Sequence, residues 1–195
     1  MSPATFYFDF LSPYSYLAHS QLGTLGAPVR LAPIQVLELM KLVNNTPTTI
    51  TCAAKGAYAR KDLARWADRY GVALRPSDIR KLDGALLLRI ATAAERLDLR
   101  PPVVEAIFKA VWGGAGDATA GAIGAYLTSA GLPGDELLAT AQADAAGDAL
   151  KAATDEAAAI GVFGAPTFQV GDELYFGNDR LDFVREAIAA QKEPA

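Results

Sequence analysis

The chain has 195 residues, of which 51% are hydrophobic and 21% are charged, and its net charge at pH 7 is −4. This balance is typical of a globular protein and excludes a disordered chain. The acidic charge and the absence of a basic run argue against nucleic-acid binding, and no apolar stretch approaches the roughly 18 residues of a membrane span. With one cysteine, Cys52, and one histidine, His19, the chain offers neither a disulfide framework nor a His/Cys metal site.

The first 35 residues predict a strand, a helix and a second strand. Residues 5–10 (TFYFDF) are aromatic and β-branched, as in a strand, and Asp9 within them is expected to be buried and paired. Ser12 is a good N-cap and Pro13 a good first helical residue, so a helix is expected from here to Gly23. Residues 29–31 predict the second strand, parallel to the first. The segment lacks a cationic leader and a cleavage site, so we expect a mature cytoplasmic protein.

The middle of the chain predicts helices throughout, with glycine and proline at the joints. Helices are expected at 56–70, 85–97 and 103–112, followed by alanine-rich helices that begin near Asp135 and Asp148. Cys52 is expected in a polar loop as an incidental free thiol. We expect His19 to serve packing or a surface hydrogen bond.

Strand character returns near the C-terminus. Residues 166–170 and 173–176, joined by Gly171-Asp172, predict a hairpin, and a last helix is expected over 180–190. The order β-α-β, helices, β-β-α predicts an α/β protein with a thioredoxin-like fold and a large all-helical insertion. The predicted domains are a discontinuous thioredoxin-like domain (1–35 and 160–195) and an inserted helical domain (36–159).

A candidate site lies where redox-active thioredoxin folds carry Cys-x-x-Cys, at the start of the first helix. This chain has Ser12-Pro13-Tyr14-Ser15 there, and two hydroxyls cannot exchange disulfides. A hydroxyl can instead hold a sulfur atom supplied by glutathione. The alternative is that Ser12 and Pro13 only start the helix.

The C-terminal segment offers three further contacts for glutathione. Pro166 occupies the position of the cis-proline that faces the active-site helix, and a cis bond would present the backbone of Ala165 to the tripeptide. Asn178 and Asp179, before the last helix, offer a carboxylate for the γ-glutamyl ammonium group. Alternatively, they serve only as an N-cap.

Four segments carry a family resemblance: FYFDFLSPYSYLA (6–18), YARKDLARWADRYGVALRP (58–76), FKAVW (108–112) and GVFGAPTFQVGDELYFGNDRLDFV (161–184). They resemble 2-hydroxychromene-2-carboxylate isomerases, which are related to kappa-class glutathione transferases and share the DsbA-like thioredoxin fold. The resemblance implies glutathione as cofactor, an aromatic substrate, a homodimer and a role in breaking down aromatic hydrocarbons such as naphthalene. The implied glutathione contacts are Ser12, also the catalytic residue, with Asn45, Lys55, Ala165, Pro166, Asn178 and Asp179, and the implied substrate contacts are Lys41 and Tyr58.

The implied reaction converts 2-hydroxychromene-2-carboxylate to trans-o-hydroxybenzylidenepyruvate by reversible addition of the glutathione thiolate. An apolar slot for the substrate is expected among the aromatic residues Tyr58, Trp66, Phe108 and Trp112. In one place the chain departs from the family, because Thr49-Ile50 replaces an Asn-Arg pair that meets the substrate. Two other functions stay open: a kappa-like glutathione transferase or glutathione-dependent reductase, and a redox-inactive thioredoxin-fold binding module.

Overall fold

A four-stranded sheet forms the centre of the protein, whose computed structural model describes residues 4–191. The strands are β1 (Ala4–Phe8), β2 (Val29–Pro33), β3 (Thr167–Val170) and β4 (Glu173–Phe176), in the order β2-β1-β3-β4. β1 and β2 are parallel, whereas β3 is antiparallel to both β1 and β4. The predicted strand–helix–strand unit, the hairpin and the thioredoxin-like fold are therefore confirmed.

Helices supply most of the long segment between β2 and β3 and also follow β1 and β4. They are α1 (Pro13–His19), α2 (Val36–Leu42), α3 (Thr48–Thr51), α4 (Ala53–Tyr70), α5 (Gly84–Ala93), α6 (Arg100–Trp112), α7 (Ile123–Ser129), α8 (Gly134–Gln142), α9 (Asp144–Ala159) and α10 (Leu181–Ala190). Short 3-10 turns lie at 22–24, 79–81, 94–97 and 178–180.

Several predicted boundaries are wrong for local reasons. α6 begins at Arg100, with both following prolines inside its first turn, where a missing N–H costs no helical hydrogen bond. Asp148 lies inside α9 rather than at its start, since that helix begins at Asp144. The segment before Cys52 forms the short helix α3 instead of a loop, and Cys52 joins α3 to α4 as a free thiol.

The sheet is covered on both faces, because alternate residues of a strand point to opposite sides. Phe6 and Phe8 belong to the larger core, which α1, α5 and α6 also line. Tyr7 points the other way, into a smaller core with residues of α2 and α9. Helices of the predicted insertion thus pack on the sheet itself. The division into 1–35 with 160–195 and 36–159 stays a prediction, and its residues 1–3 and 192–195 lie outside the described residues.

Candidate functional site

Ser12 connects the start of α1 to the loop before β3. Its backbone is extended, and its Oγ accepts a hydrogen bond from the Ser15 N–H at 3.2 Å, as expected for an N-cap. The same hydroxyl donates to the carbonyl oxygen of Ala165, also at 3.2 Å, across 153 positions of sequence. Ser12 as a whole is half-buried.

The loop carrying Ala165 has the backbone form predicted for it. The Ala165–Pro166 peptide bond is cis, and the Pro166 carbonyl accepts a hydrogen bond from the Gly177 N–H at 2.9 Å. Between residues 4 and 191, the Ala165 N–H has no acceptor. The loop therefore presents one free backbone donor beside the carbonyl that Ser12 contacts.

Asn45 is joined to the same loop. Its side-chain amide donates to the Phe163 carbonyl at 2.8 Å, and its side-chain oxygen accepts from the Thr46 N–H. Phe163 packs against Phe176 with ring centroids 4.7 Å apart, and both rings are exposed. Sequence reasoning missed this aromatic pair, although Phe163 lies only two residues before Ala165.

Asn178 and Asp179 do not cap α10, so the N-cap alternative is wrong. They form a 3-10 turn before the helix, in which no side chain caps the backbone. Asn178 is buried, its carbonyl accepts from the Tyr70 hydroxyl at 2.7 Å, and its amide lies 3.4 Å from that oxygen. Asp179 is exposed and paired with Arg180 at 2.6 Å. Of the two, Asp179 is the side chain that a ligand can reach.

The carboxylate of Asp62, which was not predicted as a site residue from the sequence, joins α1 to α4. The Tyr14 hydroxyl donates to Asp62 at 3.1 Å, and the exposed Tyr58 hydroxyl lies 3.5 Å from the other oxygen of Asp62. Burial, followed by the hydrogen bond to Asp62, raises the pKa of Tyr14, so Tyr14 remains a protonated donor. The sequence did contain a signal for this contact, since Tyr58 and Asp62 are spaced i, i+4 and therefore share a face of one helix.

The two candidate lysines have different surroundings. Lys41 is exposed on α2 and forms an ion pair with Glu38 at 2.8 Å. Lys55 is exposed on α4 and has no carboxylate within 4.0 Å in the described part of the chain. Among residues 4–191, neither lysine has a hydrogen bond or ion pair to Ser12 or to the Ala165 loop. Of the two, Lys55 is the one without an ion-pair partner there.

Asp9 is buried and holds the turn that leads into Ser12. One oxygen of its carboxylate accepts from the Leu11 N–H at 2.8 Å and the other from the Val36 N–H at 3.0 Å, so it also caps α2. The Asp9 carbonyl accepts from the Ser12 N–H at 3.1 Å. Burial raises the pKa of Asp9 to about 6, more than these hydrogen bonds lower it. The expectation of a buried, paired acid is confirmed.

The prediction of an aromatic slot is wrong for two of the four residues that were expected to line it. Phe108 and Trp112 are buried in the larger core, where the Trp112 indole donates to the Phe10 carbonyl at 2.7 Å. Trp66 packs against Tyr70, with ring centroids 5.2 Å apart. Tyr58 is exposed and is the one member beside the Asp62 contact described above.

Residues 4–191 contain neither a membrane-spanning helix nor a metal-binding cluster. No helix there is both long and apolar enough to cross a bilayer. In the same range, no three His, Cys, Asp or Glu side chains cluster in a way that could hold a metal ion.

The comparisons with known proteins agree with the fold. Residues 4–189 match the family described as a DSBA-like thioredoxin domain. A 2-hydroxychromene-2-carboxylate isomerase of Sphingobium xenophagum is 33% identical over 193 residues, which cover 94% of this chain and 96% of that protein. A solved structure of a 2-hydroxychromene-2-carboxylate isomerase superposes with a TM-score of 0.86 at 28% identity, covering 97% of this chain and 96% of the other.

A more distant relative is named a kappa-class glutathione transferase. It is glutathione S-transferase kappa 2 of Caenorhabditis elegans, 25% identical over 205 residues, with 94% of this chain and 90% of that protein covered. The identity and coverage of the isomerase relatives exceed what a shared fold alone requires. The chain belongs to the DsbA-like thioredoxin family and, within it, to the 2-hydroxychromene-2-carboxylate isomerases, which are enzymes.

Proposed function

We propose that this protein is a glutathione-dependent isomerase of an aromatic keto acid, and that it converts 2-hydroxychromene-2-carboxylate to trans-o-hydroxybenzylidenepyruvate. The observation that carries the proposal is the Ser12 hydroxyl, half-buried and 3.2 Å from the Ala165 carbonyl, at the place of a redox cysteine. The single cysteine, Cys52, lies at the junction of α3 and α4. A sulfur nucleophile at Ser12 must therefore come from another molecule.

The residues around Ser12 fit the backbone of a tripeptide thiol. The Ser12–Ala165 hydrogen bond is long for an O–H···O contact, whose usual length is about 2.7–2.8 Å, so it can be exchanged at low cost. Exchange would free the Ser12 donor and the Ala165 carbonyl together, next to the unpaired Ala165 N–H. Ser12 would then donate to sulfur, while Ala165 would offer a donor and an acceptor to the cysteinyl residue.

The charged groups fit the two ends of glutathione. Asp179 and Arg180 are exposed neighbours of opposite charge, which suits the ammonium and carboxylate groups of the γ-glutamyl end. Lys55 has no carboxylate partner in the described chain and is the better candidate than Lys41 for an anionic group, of either glutathione or the substrate. Asn45 would act through its hydrogen bond to Phe163 by holding the Ala165 loop in place.

Each group of the protein then has a defined role. When bound, glutathione supplies a sulfur nucleophile for reversible addition to a conjugated carbon–carbon double bond. The charge-assisted hydrogen bond from Ser12 is worth about 1.5–3 kcal/mol, which lowers a thiol pKa by about one to two units. A lysine at the substrate carboxylate would favour the negative charge that develops on the keto oxygen.

The test is a spectrophotometric assay of isomerisation with purified protein. We expect turnover to require glutathione, its concentration to stay constant, and Ser12→Ala to lower kcat by about 10- to 100-fold, the equivalent of the lost hydrogen bond. Glutathione affinity, measured by calorimetry, should change little, since the charged contacts are separate from Ser12. Ser129→Ala, which removes an exposed hydroxyl at the end of α7, is the matched control.

Three outcomes would contradict the proposal. Consumption of glutathione would favour a transferase or a reductase, an alternative that the kappa-class relative supports. Absence of saturable glutathione binding would favour a redox-inactive binding module. Full activity of Ser12→Ala would show that the site is misplaced.

A further inference from the structure

A cavity that is open to solvent lies at the opposite end of α1 from Ser12. It has a volume of about 460 Å³, within the roughly 300–1,000 Å³ of small-molecule sites. It opens between the end of α1, the turn at 22–24, the outer strand β2 and the start of α6. α1 has seven residues, so about 10 Å of helix separates the cavity from Ser12. None of the residues proposed above to bind glutathione lines the cavity.

The walls of the cavity are mostly apolar. Leu22 and Val29 are half-buried on one side, and the rings of Pro101 and Pro102, in the first turn of α6, form the other. Flat proline rings and branched aliphatic side chains pack well against the face of an aromatic ring. Gly23 leaves part of the wall open, since a Cβ built there meets no atom within 4 Å.

His19 contributes an uncharged polar side chain to this wall. Its ring packs against Phe108, with centroids 5.0 Å apart, and against Phe6 at 6.5 Å. Burial lowers the pKa of His19 to about 4, so the imidazole is neutral at pH 7. A neutral imidazole has one donor nitrogen and one acceptor nitrogen, and in residues 4–191 neither has a hydrogen-bond partner.

The charged groups at the rim neutralise each other. Glu105 lines the cavity, and its ion pair with Lys109 at 2.6 Å lowers its pKa and keeps it ionised. Because the pair is neutral as a whole, it offers no unpaired charge to an anionic or a cationic ligand. The complementary ligand is neutral and carries one group that both donates and accepts a hydrogen bond.

We propose that this cavity binds a small neutral phenol, with its ring against Pro101 and Pro102 and its hydroxyl hydrogen-bonded to His19. A hydroxyl matches the neutral imidazole because each offers one donor and at least one acceptor. This site is separate from the proposed glutathione site, and neither depends on the other.

His19 is the only histidine in the chain, so its ring nitrogens give a unique NMR signal in protein labelled with ¹⁵N-histidine. We expect phenol at pH 7.5 to shift this signal with a Kd of about 1 mM, a typical affinity for seven non-hydrogen atoms. Toluene, which has a similar shape but no hydroxyl, should bind about tenfold more weakly, as expected for one lost hydrogen bond. Benzoate should not bind.

Two glycine variants make the test specific. Gly23→Leu adds a branched side chain to the lining of the cavity and should abolish the shift, whereas Gly121→Leu, at a glycine outside the lining that also has open space around it, should leave the shift unchanged. Ser12→Ala should bind phenol as the wild type does, which separates this proposal from the glutathione site. An unmoved His19 signal, equal binding of toluene and phenol, or unchanged binding in Gly23→Leu would each overturn the proposal.

Discussion

The buried carboxylate of Asp9 makes the stability of the protein depend on pH. The pKa of Asp9 is raised from 3.8 to about 6 in the folded protein, because burial penalises its charged form. The folded chain therefore binds this proton more tightly than the unfolded chain does. The free energy of unfolding must fall as pH rises through the interval between the two pKa values.

The size of the effect follows from the shift. One pKa unit corresponds to about 1.4 kcal/mol, so a shift of about two units lowers the free energy of unfolding by about 3 kcal/mol in total. About 1 kcal/mol of this is already lost at about pH 4.5, since the unfolded side chain ionises from its ordinary pKa upward. About 2 kcal/mol then remains to be lost by about pH 7.5.

The assay compares wild type with Asp9→Asn by urea unfolding at several pH values. The variant cannot ionise at this position. The difference between its free energy of unfolding and that of the wild type should therefore shift by about 2 kcal/mol in favour of the variant between about pH 4.5 and pH 7.5. Its absolute stability is a poorer readout, because the amide cannot accept from both the Leu11 and Val36 N–H groups. Asp98→Asn makes the same chemical change at an exposed site and should show no such gain. Parallel pH curves for Asp9→Asn and wild type would refute the reasoning.

Three further substitutions test contacts inside the fold, each by urea unfolding against wild type. Ser15→Ala should stabilise the protein by about 1 kcal/mol, because the buried Ser15 hydroxyl has no partner among the described residues. Tyr14→Phe removes the donor to Asp62 and should destabilise by about 0.5–1.5 kcal/mol; no loss would show that this contact does not hold α1 to α4. Trp112→Phe leaves the Phe10 carbonyl buried without its donor and should cost about 2 kcal/mol; a neutral result would contradict the assigned bond.

Features encoded by neighbouring residues could be predicted from the sequence. Ser12 caps α1 as expected, and Gly171 forms the hairpin turn with a positive φ of 62°, because caps and turns depend on only a few adjacent residues. The cis bond before Pro166 could be predicted from the thioredoxin-like order of the elements, because that fold carries a cis-proline just before its third strand, facing the start of the first helix.

Contacts between distant residues could not be predicted in this way. Tyr70 and Asn178 are 108 positions apart, and their pairing depends on how α4 packs against the turn before α10. Asn178 is a residue type that often caps helices, but its side-chain amide contacts the Tyr70 hydroxyl instead. Phe108 and Trp112 were expected to line a ligand slot, yet aromatic side chains fill cores as readily as they line pockets, and composition does not distinguish the two.

The segment Ser12-Pro13-Tyr14-Ser15 shows how one helical turn gives three hydroxyls separate roles. Ser15 occupies the second redox position, but it is fully buried and its hydroxyl has no partner within residues 4–191, so it cannot meet a ligand without moving α1. Tyr14 points to α4, where its hydroxyl donates a hydrogen bond to the Asp62 carboxylate. Only Ser12 combines partial exposure with a long, exchangeable hydrogen bond to the Ala165 loop. Any chemistry that this turn supports must therefore pass through one hydroxyl, which is the reason that a single substitution, Ser12→Ala, suffices to test the proposed site.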